Sequence, residues 1–286
     1  MVKYIIYNPF SGSEQYKKLI ERISAENDNT KIISIDDMNG YEAFFGGLAP
    51  DDEVMICGGD GTINHFINET NGIEIKNKVY YIPVGTGNDF ARDIGFSGGD
   101  GEMICMDKYI KHLPKVSVKG KEYRFINNVG FGIDGYCCEE GDKIRENNEK
   151  NGTKKRINYT TIAIKGLLRY FKPRNAVVSV DGKEYKFQKV WLAAAMNGRY
   201  YGGGMMAAPK QHRLDEKKIS LVVFHRVQKF HALMIFPTLF KGTHVKYTKY
   251  ITILEGSDIR VSFDRSTPLQ IDGETIRDVL SYTATK

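Results

Sequence analysis

The sequence predicts an α/β chain in two parts: a unit of alternating strands and helices, then an antiparallel β-rich unit. Three observations carry this. In the first part apolar runs alternate with segments of helical periodicity in the order βαβαβαβα, the grammar of a mostly parallel sheet with helices on both faces. Two successive strands there end in glycine loops that open helices. After Lys115 short alternating strands take over, with Asp181-Gly182 as a hairpin turn between two of them. The expected boundaries are 1–114 for the α/β unit and 115–264 for the β unit, with 265–286 returning to the first.

Taken in order, residues 3–7 form an apolar run bounded by Asn8-Pro9-Phe10-Ser11-Gly12-Ser13, a buried strand followed by a turn of small polar residues. Tyr16, Leu19, Ile20 and Ile23 recur at helical spacing, 31–35 reads as a strand and 41–48 as a helix. The apolar run 54–57 stops at Gly58-Gly59-Asp60-Gly61-Thr62, and an amphipathic helix follows over 63–67. Residues 79–83 are a strand. The loop Val84-Gly85-Thr86-Gly87-Asn88-Asp89 then starts a helix capped by Asn88 or Asp89, and 103–112 reads as another helix. In the second part helices are expected at 136–147, 157–171 and 228–240, and the final strands carry Asp272-Gly273-Glu274.

Composition bounds the function classes. At 286 residues with 41% hydrophobic and 27% charged content, the chain can bury a sizeable core. A net charge of +6 fits a basic soluble protein, a polyanionic ligand or an anionic membrane surface. No stretch approaches the roughly 18 apolar residues of a membrane span, so membrane contact is expected to be peripheral. The four cysteines form no C-x-x-C and no paired framework, a pattern suited to a reducing compartment.

The glycine loops carry the chemistry. A strand, a glycine loop and a helix N-terminus together cradle an anion, because glycine lets backbone approach closely and first-turn N–H groups point outward. An aspartate inside such a loop would repel a bare phosphate. Asp60 makes sense there if it holds Mg²⁺ or takes a proton from an attacking hydroxyl. Neither loop is a P-loop or a dinucleotide fingerprint. Asp272-Gly273-Glu274 reads by itself as a hairpin turn, or as a pair of carboxylates able to receive a proton.

These motifs resemble the diacylglycerol kinase catalytic-domain family, which includes bacterial lipid kinases, sphingosine kinases and ceramide kinases. The resemblance rests on Asn8-Pro9-Phe10-Ser11-Gly12, Gly58-Gly59-Asp60-Gly61-Thr62-Ile63-Asn64 and the run from Pro83 to Arg92, with Asn197 to Met205, Pro209 and Asp272-Gly273-Glu274. It implies an N-terminal α/β domain similar to NAD kinases and phosphofructokinases and a C-terminal antiparallel β-sandwich. It further implies that Asn8, Ser11 and Gly12 line an ATP site. Gly58, Gly59, Asp60, Gly61, Thr62 and Asn64 would cradle the phosphates and magnesium, with Gly85, Thr86, Asn88 and Asp89 at the nucleotide. Asp60 is also implied in catalysis, and Asp272 or Glu274 would be the general base. Asp134 sits at a position resembling the lipid-headgroup contact of sphingosine kinases.

The chain departs from the family pattern in three places. His65 stands where the family carries Glu, and Ile35-Asp36-Asp37-Met38 offers no Thr. Leu214-Asp215-Glu216-Lys217 replaces an Asp-Asp-Gly pattern that makes a structural magnesium site in bacterial lipid kinases. Asp215 and Glu216 are the metal candidates there, beside an unfavourable lysine. Ile164, Leu168 and Phe171 are expected on one helical face, next to Lys165, Arg169 and Lys172 and just after Lys154-Lys155-Arg156, a pattern suited to an anionic interface.

The expected function is an ATP- and Mg²⁺-dependent lipid kinase acting on diacylglycerol or a related lipid. The expected location is cytoplasmic and peripheral at the inner membrane face, with no nucleic-acid partner, and a homodimer is left open. The alternatives are an NAD kinase-like kinase of a soluble substrate and a catalytically weak nucleotide- or lipid-binding protein.

Overall fold

The computed structural model of the chain describes residues 1–9, 29–85, 87–98, 102–153 and 157–286. They form two compact units, Met1–Leu113 and Pro114–Lys286.

In the first unit the described strands are β1 (Lys3–Tyr7), β2 (Thr30–Ser34), β3 (Glu53–Gly58), β4 (Lys78–Pro83) and β5 (Ile104–Cys105), in the order β2-β1-β3-β4-β5. β1 to β4 are parallel, and β5 is antiparallel to β4. Residues 103–112, expected as one helix, divide into this edge strand and the short helix Asp107–Ile110. The helix expected around Tyr16 and Ile23 lies outside the described residues. The described α-helices before Asp107–Ile110 are α1 (Tyr41–Gly46), α2 (Asp60–Glu69) and α3 (Asp89–Asp93), so Asp107–Ile110 is α4. Ile5, Met55, Cys57 and Ile82 stack across β1, β3 and β4 as one core face. Tyr41 and Phe45 of α1 pack on Phe66 of α2 through edge-on and tilted rings. Because β2 and β3 flank β1 on opposite sides, β1/β3 is the sheet's switch point, and the loops after these two strands lie at its carboxyl edge.

In the second unit β6 (Lys115–Val118), β7 (Lys121–Arg124) and β8 (Asn128–Gly132) lead into helices α5 (Ile133–Lys150) and α6 (Tyr159–Lys165). Then come β9 (Arg174–Val180), β10 (Lys183–Val190), β11 (Leu192–Met196) and a small hairpin of β12 (Tyr200–Tyr201) and β13 (Met205–Met206). β14 (Ile219–Phe224), α7 (Lys229–Ile235), β15 (Ile251–Gly256), β16 (Asp258–Ile271) and β17 (Glu274–Thr285) complete it.

β8, β11 and β14 are buried along their whole length, covered on both faces rather than half-solvated as the expected alternation implied. One face, with Phe131, Ala193 and Leu221, packs on Val178, Phe187 and Val261 of β9, β10 and β16. The other, with Leu192, Ala194 and Val222, packs under Ile133, Leu167, Phe171 and Ile235 from the helices. The long β16 joins the two layers. Its first half pairs with β9, as Val261↔Val178, and its last residues pair with β8, as Leu269↔Phe131. Between them its register with β17 shifts at Ser262/Thr267, the irregularity that lets a strand bend from one layer to the next.

Two expectations change here. Residues 265–286 do not return to the first unit, because β16 and β17 are paired along their length with each other and with β6, β8 and β9. Phe171 does not share an exposed face with Ile164 and Leu168. After α6 the backbone continues as a π-helical turn, Gly166–Tyr170, closed by the Phe171 N–H to the Gly166 carbonyl at 3.0 Å. One extra residue in that turn rotates Phe171 inward, onto Trp191 and Tyr136. Tyr170 is then left outside beside Leu168.

Candidate active site

In the first unit the two glycine loops interlock. A Cβ on Gly85 would come within 2.6 Å of Gly59 Cα, and one on Gly58 within 2.1 Å of Thr62 Oγ1, so both positions exclude a side chain. Val84 N–H donates to the Gly58 carbonyl at 2.9 Å, and the Tyr81 hydroxyl donates to the same oxygen at 3.0 Å.

Asp60 ties the loops more firmly still. Its Oδ2 accepts from Asp89 N–H at 2.9 Å and its Oδ1 from Phe90 N–H at 3.0 Å. The expected capping of α3 by Asn88 or Asp89 is therefore replaced by capping from Asp60, out of the preceding loop. Asn88 stands in the left-handed region at φ +47° and turns its amide to the Gly85 carbonyl at 2.7 Å, while Asp89 is buried inside α3.

Of the other expected nucleotide contacts, Asn8 is half-buried at the end of β1, and Gly59 and Gly61 are accessible above the start of α2. Thr62 and Asn64 are buried under the loop. Ser11, Gly12 and Thr86 lie outside the described residues. His65 is exposed and sets its ring edge-on to Tyr41, with centroids 6.0 Å apart.

In the second unit Asp272 and Gly273, at φ +48° and +96°, form the tight turn that pairs Ile271 with Glu274. Both carboxylate oxygens of Asp272 are committed to backbone. Oδ2 accepts from Ile126 N–H at 2.6 Å, and Oδ1 from Asn127 and Asn128 N–H at 2.7 and 2.9 Å. The same segment is held from its other side. Asn197 Nδ2 and the Arg213 guanidinium donate to the Ile126 carbonyl, and Arg213 also donates to Asn127 Oδ1 at 2.9 Å. Lys286 Nζ reaches Asn197 Oδ1 at 3.0 Å, and burial brings this ammonium down to about 8. Glu274, two residues beyond Asp272, is exposed.

Asp134 lies in the first turn of α5 and is 8% exposed. Its carboxylate accepts from Gly135 N–H at 2.8 Å and from Gln270 Nε2 at 3.2 Å, so its partners lie within the unit. Asp215 and Glu216 do not build a metal cage. Asp215 Oδ1 turns back to accept from Lys217 and Lys218 N–H at 2.8 and 3.2 Å. Among the described residues no three His, Cys, Asp or Glu side chains come together as a ligand set.

Gln270, Asn127 and Arg213 escape sequence reasoning, since their partners are far apart in the chain. Only Gln270 carries a signal, an amide between Leu269 and Ile271 in an apolar strand.

Residues 3–118 match the diacylglycerol kinase catalytic domain, and residues 127–282 match the YegS C-terminal NAD kinase beta sandwich-like domain. The class is thereby a phosphotransferase with an alcohol group as acceptor. The chain belongs to the diacylglycerol kinase catalytic-domain family, among the lipid kinases. It is 23% identical over 282 residues to a diacylglycerol kinase of Bacillus subtilis (strain 168), covering 94% of this chain and 88% of that one. It is 28% identical over 207 residues to a diacylglycerol kinase of Mycobacterium tuberculosis (strain ATCC 25618 / H37Rv), covering 70% of this chain and 64% of that protein. A crystal structure of a diacylglycerol kinase from Bacillus anthracis str. Sterne has the same fold, with a TM-score of 0.64 at 16% identity over 100% of this chain and 94% of that one.

Proposed function

We propose that the protein transfers the γ-phosphoryl group of ATP to the hydroxyl of diacylglycerol or a closely related lipid. The observation that carries the nucleotide half is the interlocked pair of glycine loops, which exposes close-packed backbone and the start of α2 at the carboxyl edge of the sheet. Gly59 and Gly61 let backbone approach the phosphates, and Asn8 lies at the end of the strand beside them.

Mg²⁺ fits at Asp60, a half-exposed carboxylate in that loop, because this ion binds through one or two carboxylates plus the nucleotide's own phosphates. It would neutralise charge on the phosphates being separated. Asp215 is the weaker metal candidate, because its Oδ1 is turned to the Lys217 and Lys218 N–H groups.

Glu274 is the general base in this reading, receiving the proton of the acceptor hydroxyl. Asp272 is the scaffold of its turn, because three N–H groups already bind its carboxylate while Glu274 is exposed.

The lipid is reached at an anionic bilayer. No helix among the described residues is long and apolar enough to cross a membrane. The second unit instead exposes Leu168 (49%) and Tyr170 (58%) on the π-helical turn and Phe230 (67%) on α7. Lys229 Nζ, donating to the Leu168 carbonyl at 3.1 Å, ties these elements together. The exposed Lys165, Arg169, Lys172 and Lys229 surround the apolar side chains, which suits shallow insertion among anionic headgroups at the cytoplasmic face.

Incubation with ATP and a mixed lipid extract, followed by mass spectrometry, tests the reading. A phosphorylated neutral glycerolipid is the expected product. Phosphorylation of soluble compounds alone, or no ATP turnover with any lipid, would contradict it.

A further inference from the structure

Gln270, 2% exposed on β16, joins two parts of the second unit that the mechanism above leaves separate. Its Oε1 accepts from Gly273 N–H at 2.9 Å, inside the turn that precedes Glu274. Its Nε2 donates to Asp134 Oδ2 at 3.2 Å. The polarity of the amide is set by these two bonds. A flipped amide would turn its NH₂ toward the Gly273 N–H and its carbonyl toward a carboxylate, donor against donor and acceptor against acceptor.

Asp134 is the fixed end of this chain. Its other oxygen takes the Gly135 N–H, so both oxygens act as acceptors, the arrangement suited to an ionised carboxylate. Around it stand Gly130 of β8, whose Cβ would lie 2.7 Å from Oδ2, Ala194 of β11, Tyr282 of β17 and Cys137 and Cys138 of its own helix. Burial raises the Tyr282 hydroxyl and both thiols, so these groups stay neutral, and among the described residues no cation offsets the Asp134 charge. Asp142 of the same helix and Glu274 of the turn both act on Cys138 beside it.

We propose that Gln270 is a positioning residue for the Asp272–Glu274 turn, locked in its working orientation by the buried carboxylate of Asp134. The proposal rests on the reading of Glu274 as the base. Burial lifts the Asp134 carboxyl to about 7, against the pull of the Gly135, Gln270 and its own N–H groups, so the lock is complete above neutrality and weakens as pH falls. Each protonation replaces an acceptor by a hydroxyl facing an N–H donor.

The test uses the full-length protein with Gln270→Met, Asp134→Asn and Glu274→Gln, assayed for kcat and KM with ATP and diacylglycerol in mixed micelles from about pH 6 to about pH 8.5. Gln270→Met is expected to lower kcat about tenfold with KM for ATP unchanged, and to speed hydrogen exchange at the Gly273 amide. Asp134→Asn is expected to remove the inflection near neutrality from the kcat profile. If Gln270→Met fails to fold, the Asp134→Asn profile and its Gly273 exchange decide alone. Wild-type kcat and an unchanged inflection in the variants, with Glu274→Gln inactive, would overturn the relay while leaving the base in place. A rise in KM for the lipid alone in Asp134→Asn would overturn it too, in favour of a headgroup contact. Full activity of Glu274→Gln would instead remove the reading on which the proposal rests.

Discussion

The first unit and the second each carry an aspartate in a glycine turn, and the two solve the same local problem with different consequences. Asp60 gives its oxygens to the first two N–H groups of α3, knitting one glycine loop to the next. Asp272 gives its oxygens to three successive N–H groups of 126–128, fastening a hairpin turn to a neighbouring segment. Asp60 is partly exposed in the glycine loop, so in the proposed reading one side chain serves both structure and ligand. In the second unit the proposed roles are divided: Asp272 is bound to backbone, and the exposed Glu274 is the proposed base. A carboxylate beside glycine therefore means different things according to what its hydrogen bonds are spent on.

The largest expected effect is at the double-duty residue. Asp60→Ala should lower kcat/KM about a thousandfold and also cost about 1–2 kcal/mol of stability, since α3 loses its cap. Loss of activity with an unchanged denaturation midpoint would break the claim that Asp60 serves both purposes. Next, Glu274→Gln should lower kcat at least about a hundredfold with little change in stability, because the side chain is exposed.

Asp272→Ala should do the reverse. It strands three N–H groups and should cost about 3 kcal/mol or more, read by urea denaturation. The folded fraction should keep more activity than Glu274→Gln.

A smaller effect tests the membrane face. Leu168→Ser with Tyr170→Ser should weaken sedimentation with phosphatidylglycerol vesicles several-fold while leaving turnover on detergent-solubilised lipid near that of the parent. Equal binding to zwitterionic and anionic vesicles would contradict the role given to the lysines. The smallest is a near-zero shift. Chelation of divalent cations should leave the melting temperature of the second unit within about 1 °C, because Asp215 caps its own turn.

Much of the fold was legible in the sequence, and the parts that were not share a cause. Apolar runs marked β3 and β4, whose central residues are buried, whereas β11 and β14 were expected among short alternating strands and are buried along their whole length instead. The glycine loops and the Asp272-Gly273 turn were readable because left-handed backbone and close approach demand particular residues. Local periodicity failed at Phe171, where one π-helical turn shifts the phase, and at Ile104-Cys105, where pairing with β4 overrides helical spacing. The bonds of Asp60 to α3, of Asp272 to 126–128 and of Gln270 to Gly273 depend on which strands lie side by side. Composition and spacing do not encode that, so the sequence leaves Asp272 and Glu274 equivalent as candidate bases.

The measurement that bears most directly on the central claim is the turnover of Glu274→Gln beside Asp272→Ala, each normalised to folded protein, with ATP and diacylglycerol in mixed micelles. The account predicts a folded, nearly inactive Glu274→Gln and a destabilised Asp272→Ala that still turns over. Wild-type turnover in Glu274→Gln, with activity lost only in Asp272→Ala, would contradict it.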